Sequence, residues 1–299
     1  MFGRSLFQDA PKVRWWTLGL LLGGALLGDV LFHWAPAMQT PMALALILGI
    51  GLQHGAVDHV LHAHMHGDPE GPLRQSFALP YVGAIGVCWV AFETVPALML
   101  GLFLLASAFH FGMSHLRVDA MRLSRVQPDV LSALVLGAVL LAPLITRPDA
   151  LEVMAQFGWD VSLAPSKRLL PLQLASGGAL VLAAVLHRAW RNGLLALTGV
   201  VLAWFVHDLL LAFALYFALG HAREAFFEEF QERQGLTREF LQFYRKSLPL
   251  TCVFALMAGI VLWSVHSGWL HERAALSFLL AGTLPHVAVL EGWVTARMR

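Results

Sequence analysis

Long apolar stretches alternate with short polar breaks along the whole chain. They run over 16–35, 41–63, 77–95, 97–116, 130–146, 169–187, 193–222, 247–267 and 274–294. Most approach the ~20 residues that a helix needs to cross the hydrocarbon core of a bilayer. The stretch 193–222 is long for one span and short for two. If it forms two short or re-entrant helices, their hinge lies near His207-Asp208. The pattern predicts an all-α fold, a polytopic membrane helix bundle with roughly eight or nine transmembrane helices.

Composition supports the membrane interpretation. Apolar residues make up 58% and charged residues 13% of the chain, and the mean hydropathy is +0.67. With no soluble segment or internal repeat visible, residues 1–299 are predicted to form a single integral-membrane domain. A formal net charge of +1 indicates no nucleic-acid partner. Cys88 and Cys252 lie in apolar runs far apart, which is typical of small buried hydrophobic residues rather than of a disulfide framework.

Basic residues indicate the orientation. If the N-terminus is cytoplasmic, the inner side of the first four spans holds every lysine and arginine of that region, which are Arg4, Lys12, Arg14, Arg74, Arg117, Arg122 and Arg125. Residues 223–246 are the most charged part of the chain and carry aromatic residues at helical spacings. This segment is predicted to be an amphipathic helix pair at the membrane interface, and a solvated loop with aromatic anchors is the alternative.

Histidines lie inside the most apolar stretches. His54, His110, His221 and His286 are each surrounded by apolar neighbours and come from separate stretches. Polar groups at membrane depth are costly and usually face the interior of the bundle. Neutral imidazole is a common ligand of zinc, copper, iron and nickel. Several such residues on different helices therefore predict one buried metal site.

Asp58 and His59 accompany His54. Asp58 lies four residues after His54, on the same helix face. Its carboxylate is expected to orient an imidazole from a neighbouring helix, as carboxylates do for metal-bound histidines. His59 is rotated about 140° from His54, so one straight helix does not easily direct both rings to one ion.

Four motifs follow one another along the chain. They are His54-Gly55-Ala56-Val57-Asp58-His59, Phe109-His110-Phe111-Gly112, Tyr216-Phe217 with His221, and Thr283-Leu284-Pro285-His286. In this order and membrane placement they resemble the Brp/Blh family of bacterial and archaeal membrane proteins, which are β-carotene 15,15'-dioxygenases. The resemblance implies cleavage of the central double bond of β-carotene into two retinal molecules by Fe(II) and O2. It also implies that His54, His110 and His221 are iron ligands.

The chain departs from the family pattern after His221. The family usually offers a second histidine one helical turn later, and Ala225 stands at that position. The fourth ligand is expected to be His286, with Glu224 and His59 as competitors. A three-histidine shell, or a divergent or inactive relative, also fits the sequence.

Aromatic residues near the histidines suggest a tunnel for an apolar polyene taken from the bilayer, and Phe109, Phe111, Tyr216 and Phe217 are the predicted substrate contacts. Two other classes of membrane protein share part of this pattern. A nickel or cobalt permease has a similar histidine–aspartate motif, but that motif is one residue longer than the His54-to-His59 spacing. A bis-histidine haem carrier is the other. The location that follows is a prokaryotic inner membrane, with lipid, carotenoid and O2 as partners.

Overall fold

The computed structural model describes residues 10–66, 75–123, 130–145, 147–159, 206, 208–223, 225 and 240–297. Within these ranges the chain is almost entirely helical and contains no strand. The all-α prediction is therefore confirmed for the described part of the chain. The stretch 169–187, most of the segment 223–246 and Glu224 lie outside it.

The first half of the described chain contains eight helices. They are α1 (Ala10–Trp34), α2 (Gln39–Leu46), α3 (Leu52–Ala56), α4 (Asp58–Met65), α5 (Gln75–Thr94), α6 (Pro96–Leu123), α7 (Val130–Ile145) and α8 (Pro148–Gln156). A short 3-10 turn, Pro36–Met38, precedes α2, and a π-helical segment, Ile47–Gly51, joins α2 to α3.

The second half contains α9 (Leu209–Ala214), α10 (Phe240–His266) and α11 (Glu272–Arg297). A second π-helical segment, Leu215–Ala222, continues α9. Pro249 and Pro285 lie inside α10 and α11, and neither ends its helix.

Five described helical stretches are long and apolar enough to cross a membrane. They are Pro36–Ala63, Gln75–Thr94, Pro96–Ser114, Tyr244–His266 and Glu272–Leu290. Gly19–Trp34 and Leu209–Ala222 are apolar but shorter. Five spans in the described residues do not confirm the predicted total of eight or nine.

Two helices differ from the pattern of apolar stretches. Helix α10 begins at Phe240, so the last residues of the predicted interfacial segment belong to a long helix. The short helix α8 follows the stretch 130–146 and was not predicted. It ends at Gln156, and the turn that follows contains Gly158, whose φ of 81° lies in the left-handed region that glycine adopts without steric cost.

Helix α9 begins after Asp208, whose backbone is extended (φ −85°, ψ 124°), whereas the preceding part of the stretch 193–222 lies outside the described residues apart from Val206. Its carboxylate accepts a hydrogen bond of 2.7 Å from the backbone N–H of Leu211 and so caps the start of α9. Arg147 donates to the carbonyl oxygen of Val206 at 2.7 Å and pairs with Asp149. The helix that carries His221 therefore begins at a fixed point.

The described helices group into two compact units. The first unit comprises residues 1–51, 108–153 and 160–231, and the second comprises 52–107, 154–159 and 232–299. The single-domain interpretation is not tested by this division and stays a prediction.

In the first unit, α6 and α7 are in close contact through small residues. A side chain at Gly112 would overlap the carbonyl oxygen of Ala133, and one at Gly137 would overlap that of Ala108. Ala108 and Gly112 are four residues apart, as are Ala133 and Gly137, so each helix presents a small-xxx-small pair to the other. This reciprocal contact fixes the part of α6 that carries His110.

The second unit has an aromatic core beneath α11. Trp89 on α5 packs edge-on against Phe278 and donates its indole N–H to the carbonyl oxygen of Ala274 at 3.0 Å. Phe92 and Phe157 are both fully buried and pack against each other. Helix α10 joins this unit through Ser247, whose buried hydroxyl contacts Gln53 Oε1 on α3. These contacts position α3 and α11, the two helices that carry His54 and His286.

Candidate metal centre

The second unit brings His54 and His286 together. Their Nε2 atoms are 3.0 Å apart and their rings are nearly perpendicular, at 79°. Both side chains are buried. Gly55 lies beside the pair, and a Cβ there would stand 3.5 Å from His286 Nδ1, which is an ordinary contact distance.

Asp58 sets the tautomer of His286. The carboxylate oxygens lie 2.9 and 3.0 Å from His286 Nδ1, on the side of the ring away from His54. In the neutral ring, Nδ1 therefore carries the hydrogen and donates a hydrogen bond to Asp58. The other nitrogen, Nε2, is then unprotonated and is directed at His54. A carboxylate behind an imidazole in this way is the usual arrangement for a metal-bound histidine.

Tyr81 completes this group and was missed in the sequence. Its hydroxyl donates to Asp58 Oδ2 at 2.7 Å. The chain has three tyrosines, and Tyr81 lies within the apolar stretch 77–95. A hydroxyl at membrane depth needs a hydrogen-bond partner, and that was the signal available.

The first unit brings His110 and His221 together in a similar way. Their Nε2 atoms are 3.1 Å apart and their rings meet at 82°. His221 lies in the second π-helical segment, and π-helical turns occur frequently at functional sites. Among the described residues there are thus two buried histidine pairs of nearly the same geometry, one in each unit.

The aromatic candidates surround the pair in the first unit. Phe111 and Tyr216 are buried in its apolar core, and the ring of Phe111 lies 4.5 Å from that of His221. Phe217 is half-buried and stacks on His221 (6.0 Å, 25°), and Phe213 stacks on Phe217 (5.4 Å, 5°). Phe109 is also half-buried.

The two competing ligand candidates were His59 and Glu224. His59 is buried in the second unit, where its Nδ1 donates to the carbonyl oxygen of Ala56 at 2.9 Å within its own stretch of chain. Ala225, at the place of the family's second histidine, is buried in the first unit. Glu224 is outside the described residues.

The donor set fits a transition-metal ion. Two nitrogens on adjacent corners of a shell with metal–nitrogen bonds of about 2.1 Å stand about 3 Å apart, which is the spacing in both pairs. A single N–H···N hydrogen bond has the same spacing. The fully buried Asp58 carboxylate lies behind the His286 ring, as carboxylates do behind metal-bound histidines, and so supports the metal.

Comparison with known proteins gives one family. The family model described as β-carotene 15,15'-dioxygenase matches residues 45–294. A protein named β-carotene 15,15'-dioxygenase, from uncultured marine bacterium 66A03, is 25% identical over 264 residues, which cover 83% of this chain and 92% of that protein. No solved structure matches the chain.

Proposed function

Because the chain belongs to the β-carotene 15,15'-dioxygenase family, a family of carotenoid-cleaving dioxygenases, we propose that it cleaves the central double bond of β-carotene, or of a related apolar polyene, to give retinal. In this reaction the central C=C bond breaks and each of its two carbons gains one oxygen atom from O2. Two aldehydes form, and no further reductant is required. The balance is that of a dioxygenase, as the family name states.

The proposed cofactor is one ferrous ion, held by His54 and His286 from the second unit and by His110 and His221 from the first. The observation that carries the proposal is the pair of opposed Nε2 atoms in each unit, at 3.0 and 3.1 Å. Each pair alone would supply too few ligands for a stable site. Bound iron supplies the one-electron chemistry that O2 needs in order to react with an alkene.

His286 is the proposed fourth ligand in place of the family histidine at Ala225. What supports it is its Nε2, which faces His54 Nε2, and the hydrogen bond from its Nδ1 to Asp58. Asp58 keeps His286 in the tautomer that leaves Nε2 unprotonated.

The residues of the first unit would hold the polyene and exclude water. Phe217 is the best candidate for direct contact, since it is half-buried and stacks on His221. Phe213 extends the same row of rings and Phe109 offers a second half-buried ring, whereas Phe111 and Tyr216 would support the wall from the core. Aromatic faces suit a conjugated chain because both are apolar and polarisable.

A membrane setting fits this substrate, because β-carotene partitions into hydrocarbon and would reach the site without passing through water. We propose a prokaryotic inner membrane, a cytoplasmic N-terminus and an interfacial role for 223–246. The five long apolar helices support the membrane setting. Exposed leucines on several of them, such as Leu79 and Leu98, are suited to contact with lipid.

Expression in a β-carotene-producing bacterium that makes no retinal tests the proposal. We expect β-carotene to fall and retinal to appear, as measured by chromatography of the cell extract, and purified protein to need added Fe(II) and O2. A host with the same vector but no insert is the control. Accumulation of nickel or cobalt in intact cells without retinal would support a permease instead.

A further inference from the structure

The buried hydroxyl of Tyr81 belongs to a chain of contacts that ends at a proposed metal ligand. Tyr81 donates to Asp58 Oδ2, Asp58 accepts from His286 Nδ1, and His286 Nε2 faces His54. We infer that Tyr81 is a positioning residue, which fixes the Asp58 carboxylate and through it the ligand geometry of His286. This inference rests on the proposed function.

The ring of Tyr81 is itself held in place. Phe77, one helical turn earlier on α5, stacks against it at 5.1 Å and 29°. Phe77 in turn packs against His62 on α4, and the two ring centroids are 4.9 Å apart. Helix α5 also packs along α11, which carries His286. The hydroxyl is therefore presented to Asp58 by a rigid scaffold.

A fixed hydroxyl matters because the carboxylate has two nearly equal ways to bind His286. Asp58 Oδ1 and Oδ2 lie 2.9 and 3.0 Å from Nδ1. The Tyr81 hydrogen bond occupies Oδ2 and restricts rotation of the carboxylate about its Cβ–Cγ bond. Water cannot readily replace that bond, since Asp58 is fully buried.

Tyr81→Phe removes the hydroxyl and keeps the ring that packs on Phe77. We expect Co(II) affinity to fall by about 3- to 10-fold, at or below the low end of the 10- to 100-fold losses found for outer-shell partners of a metal. Asp58→Asn should cost about 10- to 100-fold. Tyr244→Phe is the matched control, because it removes the same hydroxyl from another membrane helix outside this group.

The measurement is competition for Co(II) between the detergent-solubilised full chain and a chromophoric chelator. The double variant Tyr81→Phe/Asp58→Asn separates positioning from a general effect. If Tyr81 acts through Asp58, the double variant should lose no more Co(II) affinity than Asp58→Asn alone. Cleavage by Tyr81→Phe should also recover as Fe(II) is raised, whereas a folding defect would not respond to the metal.

Three results would overturn the inference: an unchanged Co(II) affinity in Tyr81→Phe, an additive loss in the double variant, or a loss of helical circular dichroism in Tyr81→Phe. The last would make the hydroxyl a requirement for folding. Failure of the proposed function looks different, because the unmodified chain would then bind no Co(II) or release no retinal.

Discussion

At the scale of single residues, burial and a partner on another helix distinguish a candidate metal ligand from an ordinary histidine. His286 donates from Nδ1 to Asp58, so its Nε2 has only a lone pair to offer. His33 differs in two respects: its ring is exposed, and its Nδ1 lies 2.9 Å from the carbonyl oxygen of Asp29, one turn earlier on its own helix. Burial combined with a partner on another helix separates the four candidate ligands from such residues.

Removal of one candidate ligand should abolish the reaction. His110→Ala is expected to lower retinal formation by more than about 100-fold, because loss of a ligand exceeds the 10- to 100-fold typical of outer-shell partners. The amount of protein in the membrane fraction should stay the same. Retinal in extracts of the carotene-producing host, normalised to protein by immunoblot, measures the effect.

The control is His33→Ala, which removes an exposed imidazole. It should leave retinal formation within about twofold of the unmodified chain, as is usual for surface substitutions. Equal losses in the two variants would contradict the division between buried ligands and exposed histidines.

The sequence shows some of these residues and hides others, for a physical reason. A histidine in an apolar stretch is visible in a hydropathy pattern, so His54, His110, His221 and His286 could be predicted as candidates. Their pairing could not, because His54 and His286 are 232 residues apart and only the packing of α3 and α11 in the second unit brings them together. Tyr81 was overlooked since one hydroxyl hardly changes the hydropathy of its stretch.

At the scale of helices, the two π-helical segments of the described chain pack on each other in the first unit. They are in close contact at Gly51, where a Cβ would stand 2.5 Å from Cε1 of Phe217. Absence of a side chain at Gly51 therefore makes room for the ring that stacks on His221. The aromatic row depends on a glycine in a different helix.

Gly51→Ala should displace Phe217 and impair use of the substrate. We expect kcat/KM for β-carotene to fall by on the order of 10-fold, less than the ~10²-fold caused by a 1 Å shift of a catalytic group. Co(II) affinity should fall less than it does in His110→Ala, because Phe217 only stacks on His221 and no ligand is removed. Steady-state kinetics in detergent with added Fe(II) measures the first effect, and chelator competition the second.

Gly49→Ala is the matched control, since it lies in the same π-helical segment and has open space around its Cα. It adds the same methyl group to the same backbone and should keep kcat/KM. A similar loss in Gly49→Ala would attribute the effect to the π-helical backbone rather than to Phe217.

The contact between α6 and α7 leads to a prediction about stability. Gly137→Ala should destabilise the fold by about 1–3 kcal/mol, as overpacking does, because the new methyl group would overlap a backbone carbonyl that cannot rotate away. Gly83→Ala should not destabilise the fold, because Gly83 lies on α5 with open space where the methyl group would stand. Thermal aggregation in detergent compares the two variants, and equal midpoints would contradict the close contact.

Helix positions were more predictable than helix ends. Long apolar stretches predicted α5, α6, α10 and α11, because each must cover its length with apolar side chains. The apolar stretch 247–267 predicted the apolar part of α10 but not its continuity with the residues from Phe240, since charged residues such as Arg245 and Lys246 can extend a helix beyond its apolar part. The small-xxx-small pairs of α6 and α7 were readable in the sequence, but their reciprocal fit depends on the packing.

At the scale of the whole molecule, each unit supplies two of the four proposed ligands. The second unit adds the supporting group of Asp58 and Tyr81, and the first unit adds the aromatic row. This division separates two tasks: one unit would chiefly fix the metal, and the other would bind both metal and substrate. Neither unit alone would then be active.

The central claim is that one metal ion is bound by both histidine pairs. Its most direct test is to measure the iron content per chain. The unmodified chain, His110→Ala and His286→Ala would each be purified with Fe(II) under anaerobic conditions. The account predicts about one iron per unmodified chain and a loss of most of it in both variants, because each removes a ligand of the same ion. Iron retained in full by either variant, or two ions per unmodified chain, would contradict it.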